Sequence, residues 1–155
     1  MYDNGNYNSE IVYGGVDGLI TTFAIIAGSV GAELSHNIII VLGFASILAD
    51  GFSMGISSFL AERMRESEKH PYLVGLSTFI SFIILGSMPM IPYVMNLDNA
   101  FTYAIMILIV ILFLLGLLKG KGYYYGVETA FIGGIAVLIA YQSAKYIHNL
   151  VPDDE

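Results

Sequence analysis

Five long apolar runs separated by short polar breaks set the pattern of this chain, at residues 10–33, 37–61, 72–95, 100–118 and 124–148. A helix needs roughly 20 mostly apolar residues to cross the hydrocarbon of a bilayer, and every run meets that length. The breaks read ELSHN, ERMRESEKHP, MNLDN and KGKG. None of the runs shows the two-residue alternation of a membrane barrel strand. Helix is the expected state, because a backbone group left unpaired in lipid costs several kcal/mol. The expected fold is therefore an all-α integral membrane protein of five transmembrane helices. It divides into a polar N-terminal tail (1–9), one transmembrane domain (10–149) and an acidic C-terminal tail (150–155), with no internal repeat that would split the five segments into equal halves.

The basic residues orient this arrangement. Arg63, Arg65 and Lys69 fall between the second and third segments and Lys119 and Lys121 between the fourth and fifth, so five of the six lie on one side. The positive-inside rule makes that side cytoplasmic. The N-terminus and the 62–71 connection are then cytoplasmic, and the C-terminus lumenal or extracellular. Lys145 lies near the other surface, which its long stem can reach by snorkelling. Tyr123, Tyr124 and Tyr125 stand beside the basic turn, where an interfacial aromatic belt is expected.

Composition narrows the classes further. The 155 residues are 56% hydrophobic and 12% charged, against about 25% charged in soluble domains. With no cysteine, neither a disulfide framework nor a thiolate metal site is available. A net charge of −7 weighs against nucleic acid, whose phosphates need a basic surface. The opening MYDNGNYNSE lacks the basic start and apolar core of a secretory signal.

The chemistry lies in the few ionisable groups placed at depth. Asp17 is alone in an otherwise uncharged run of 22 residues, 11–32. Glu10, Gly14, Asp17 and Thr21 follow seven- and four-residue steps, a narrow stripe on one helix face. Asp17 would sit roughly 10 Å deeper than Glu10. A charge at mid-membrane costs at least about 2.5–3.5 kcal/mol, so it faces a partner, a cavity or a pathway. In the second segment Ser46, Asp50 and Met54 repeat at four-residue spacing, flanked by Ser53 and Ser57. The small residues Ala45, Ala49, Ser53 and Ser57 would also let another helix approach closely. Two readings compete: a packing seam with one buried aspartate, or oxygen and sulfur projected into a gap beside Asp17. Carboxylate with thioether suits borderline divalent ions such as Fe²⁺ or Mn²⁺. Copper(I) would call for stacked methionines, and Met88, Met90 and Met95 are instead spread around prolines.

Other polar positions have plainer readings. Pro89 and Pro92 break regular hydrogen bonding, either as simple shape or to open carbonyls toward a pathway. Glu128 near the start of the fifth segment suits a helix N-terminus. Glu62, Glu66 and Glu68 read as a solvated charged turn able to catch a cation only weakly. His36 and His148 fall on the outer side, weak evidence for a metal exit.

The stretches "DGLITTFAIIAGSVGA", "GFASILADGFSMGISSFLAE", "HPYLVGLSTFISFIILGSMPMIPY" and "LLGLLKGKGYYYGVETAFIGGIAVLIAY" resemble, in order and character, the vacuolar iron transporter family. The resemblance covers nearly the whole chain. It implies a five-helix homodimer that moves Fe²⁺, often Mn²⁺ too, out of the cytosol in exchange for protons, along a pathway between subunits lined by the first two helices. It places the family's intramembrane aspartate on Asp17, its preceding acidic residue on Glu10 and its metal-contacting methionine on Met54. Two departures accompany it. Ser46 stands where the family usually has glutamate, with Asp50 one turn later as a relocated carboxylate. A glutamate-rich cytoplasmic domain usual between the second and third segments is replaced by ERMRESEKHP. The expected metal ligands are Asp17, Asp50 and Met54, with Glu10, Ser46, Glu62 and Glu128 as candidates for entry or proton coupling. Divalent metal ions, protons, the lipid bilayer and a second copy are the expected partners, and the metal is cargo, with no resident cofactor. The membrane would be vacuolar or plasma. The rival reading is an accessory membrane protein of the same fold without transport; a membrane hydrolase lacks a nucleophile arrangement.

Overall fold

The computed structural model describes residues 6–65, 69–119 and 122–150. Both extreme tails, Glu66, Glu68, Lys121 and the side chain of Lys119 lie outside the described residues. The elements are α1 (Asn8–Gly31), α2 (His36–Arg63), α3 (Pro71–Ser87), a 3-10 turn (Met88–Met90), α4 (Ile91–Val94), α5 (Ala100–Lys119) and α6 (Tyr123–His148). With Pro71–Val94 taken as one span, five helices are long and apolar enough to cross a membrane. This is a multi-pass membrane protein.

The ends of the helices follow local chemistry. Pro71 opens α3 at a position where its missing N–H is not needed. Asn96 adopts φ 52 after the third span, a left-handed conformation that asparagine tolerates better than most residues, and its N–H bonds the Tyr93 carbonyl. Two boundaries differ from the sequence expectation in ways that matter. The first helix begins at Asn8, inside the expected tail, and the second runs on to Arg63, taking Glu62 out of the turn.

α1 runs through the middle of the protomer, touching α2, α3, α5 and α6, while α3 lies between α1 and α2. Glycines set these distances, as is common where helices meet in lipid and backbones must come close. A methyl on Gly18 would stand 2.6 Å from the Phe82 carbonyl oxygen, and one on Gly75 would stand 2.7 Å from that of Gly55. Leu19, Phe23, Ile26 and Ala27 of α1 meet Ala104, Leu108 and Leu112 of α5 in the core.

The expected close-approach stripe Ala45, Ala49, Ser53 and Ser57 is exposed on the protomer. Gly43, Ile47, Gly51 and Gly55 are buried in its place, because the residues with least bulk let α2 settle nearest to α3. The third span breaks where its prolines lead one to expect. Pro89 and Pro92 are fully buried and Met90 is packed over Gly43, so the irregular turn shapes a closed plug. His36 is not an exposed histidine: its Nε2–H donates to the Tyr93 carbonyl at 2.6 Å, with the two rings 5.1 Å apart. That bond ties the start of α2 to the plug.

Candidate functional site

Asp17 lies nine residues into α1, roughly 14 Å along its axis. α2 runs antiparallel to it, which puts Met54 roughly 14 Å and Asp50 roughly 20 Å from the Arg63 end. The three are therefore within about one helical turn in depth. Among the described residues neither Asp17 nor Asp50 forms an ion pair. Asp50 is half-buried and accepts a hydrogen bond from the Ser46 hydroxyl one turn earlier. Ser46 thus orients the carboxylate.

Two hollows flank this region. Asp17 is exposed on the protomer, in the wall of a groove of about 750 Å³ that Val16 and Ile20 share with Leu118 of α5 and Thr129 and Ile132 of α6. On the other side, α1, α2 and α3 enclose a cavity of about 490 Å³ at the basic end, lined by Glu10, Met54, Ser57, Ser58, Glu62 and Thr78 among others. Ser9 and Tyr13 belong to both walls. The stripe from Glu10 to Asp17 thus runs along a ridge, with one acid on each slope. The structure joins Glu10, Met54 and Glu62 around one cavity, leaves Asp17 in the groove and Asp50 in neither hollow, and does not put all five into one pocket.

Glu10 is half-buried at the mouth of the cavity. It takes a 2.7 Å ion pair from the Lys69 ammonium and a 2.8 Å hydrogen bond from Ser9. Glu62 corrects the sequence reading most sharply. Expected in a solvated turn, it is the penultimate residue of α2, turned inward and only 6% exposed. One carboxylate oxygen stands 3.9 Å from Arg65 Nη1, and the other has no hydrogen-bond partner. Glu128 is the sixth residue of α6, whose first turn holds no acid. A dipole contribution fades beyond that turn, so the helix-terminus reading of Glu128 loses its basis. Among the described residues no three histidine, aspartate or glutamate side chains of one chain cluster together.

The Lys69–Glu10 pair and the ridge at Tyr13 had no sequence signal. Lys69 and Glu10 are 59 positions apart, and only helix packing brings them together.

A family model described as the VIT family matches residues 8–67 and 62–145. The chain belongs to the VIT family. The two parts of the match to the VIT family overlap at 62–67, the connection after α2. A vacuolar iron transporter from Toxoplasma gondii is 41% identical over 58 residues, covering 37% of this chain and 19% of that protein. One from Plasmodium berghei is 39% identical over 66 residues, 36% of this chain and 24% of that protein. These matches thus span about a fifth to a quarter of the relatives' length. Vacuolar iron transporter 1 of Arabidopsis thaliana is 25% identical over 219 positions, covering 94% of this chain and 88% of the plant protein. That alignment is longer than the 155-residue chain, so the plant VIT protein carries residues with no counterpart here.

Proposed function

We propose that this VIT-family chain is a divalent transition-metal transporter that moves Fe²⁺, and Mn²⁺ by the same chemistry, out of the cytosol in exchange for protons, as a homodimer in a vacuole-like membrane. The observation that carries the reading is the pair Asp17 and Asp50, two carboxylates within about one helical turn in depth that form no ion pair among the described residues, one of them on the uncovered surface of the protomer. A carboxylate facing lipid costs at least about 2.5–3.5 kcal/mol. A second copy seated on the exposed Ala45–Ala49–Ser53–Ser57 stripe removes that cost by closing the groove, and it doubles the donor set. Among the described residues no three acids or histidines of one protomer converge, in keeping with half a site per protomer.

Carboxylate oxygen with the Met54 thioether suits Fe²⁺ and Mn²⁺ better than Mg²⁺, which keeps oxygen and water. Only an ionised carboxylate is a good ligand, so metal binding expels protons, and the return of those protons resets the carrier. The basic end faces the cytoplasm by the positive-inside rule, which makes Glu10 an entrance group. The names of the relatives, vacuolar iron transporters, support both the cargo and the membrane.

The test is uptake of Fe²⁺ and Mn²⁺ by vesicles carrying the full chain, with and without a pH gradient. Uptake is expected to rise with an acidic interior and to vanish in Asp17→Asn. Transport by Asp17→Asn at the unmodified rate sinks the reading.

A further inference from the structure

The cavity at the basic end holds a feature that the mid-membrane site does not use. Glu62 is 6% exposed, lines the cavity, and has one carboxylate oxygen with no partner. Buried polar atoms are nearly always satisfied, and an unsatisfied carboxylate oxygen facing a cavity is accounted for by a water or an ion held there. Across the same cavity Glu10 presents a second carboxylate from α1, and the Ser57 and Ser58 hydroxyls lie on its wall. The cavity's 490 Å³ is ample for an ion with several waters at about 30 Å³ each.

Charge points the same way. Lys69 sits 2.7 Å from Glu10 and Arg65 3.9 Å from Glu62, so each acid at the mouth has one tethered cation. The Arg65 side chain is 74% exposed and the Lys69 side chain 27%. Both have long flexible stems. If the two swing toward solvent, one divalent ion replaces their combined charge.

We propose that this cavity is a second metal site, a loading station in which a hydrated divalent cation bridges Glu62 and Glu10 before it moves inward to Met54, and that Lys69 and Arg65 hold the place of the ion while the station is empty. All-oxygen donors and retained water fit Mn²⁺ among transition-metal ions. The ion's onward path rests on the transport reading above, whereas its binding at Glu62 does not. The station gives this chain a capture point within the membrane domain itself.

The test is Mn²⁺ binding to the full chain in detergent, read from the loss of the free-ion paramagnetic resonance signal. Asp17→Asn with Asp50→Asn removes the mid-membrane carboxylates, and one Mn²⁺ per chain is expected to remain. In that background Glu62→Gln weakens the remaining site at least about tenfold, the smallest loss expected from even an indirect metal partner. Glu62→Asp retains most of the binding, and Lys69→Ala tightens it by removing the competing ammonium. No residual ion in the double variant, or a residual ion indifferent to Glu62→Gln, overturns the station and leaves the mid-membrane reading to its own uptake test. Should Glu62→Gln fail to fold, Lys69→Ala decides: binding unchanged or weakened overturns the proposal.

Discussion

Ser46 illustrates how much a single hydroxyl can do beside a carboxylate in lipid. Its bond to Asp50 orients a side chain that forms no ion pair among the described residues. Ser46→Ala leaves that carboxylate without its donor. Metal affinity should then fall about 10–100-fold, the range for partners that orient a ligand, measured as a rise in the half-saturating Mn²⁺ concentration for uptake with protein folding unchanged. At this scale the sequence was partly legible. Asp17 and Asp50 stand out because a charge inside an apolar run has few physical excuses. Glu62 does not, since a glutamate among ERMRESEKHP looks the same whether it points into water or inward. Only the two further residues of α2, which keep Glu62 helical and turned inward, decide between them.

The spans were legible because length and hydropathy dictate them, and their ends less so because amphipathic residues at a helix end serve equally as helix or turn. Which face of α2 packs inward could not be read from small residues alone, since glycines at 43, 51 and 55 and the alanine–serine stripe both allow close approach. Burial assigns the glycines to the protomer's own seam. Gly75→Ala would drive a methyl to 2.7 Å from the Gly55 carbonyl oxygen and 2.8 Å from the Phe59 side chain. Backbone cannot yield cheaply there, so a loss of about 1–3 kcal/mol is expected. Gly134→Ala, which meets nothing within 4 Å, should lose nothing. Denaturation in mixed micelles, run on both variants, measures the difference.

At the scale of the whole molecule, the proposed dimer makes α2 meet its own copy. The chain has no cysteine, so a single introduced thiol reports cleanly. Ser53→Cys should give a disulfide-linked dimer under mild oxidation in membranes, whereas Leu114→Cys, exposed on α5, should not. Equal crosslinking at both positions removes the α2 seam. The plug at the opposite end has an electrical consequence. The cavity reaches inward to the level of Met54, while Met90, Pro89, Pro92 and Tyr93 stay tightly packed toward the opposite surface. A membrane voltage then drops mainly across that insulating half. Each elementary charge moved through the full drop is worth about 2.3 kcal/mol per 100 mV, and a doubly charged ion feels twice that. On the transport proposed above, carrying a doubly charged ion across that half of the bilayer should be the voltage-sensitive step, checked by the slope of Mn²⁺ uptake against an imposed potential.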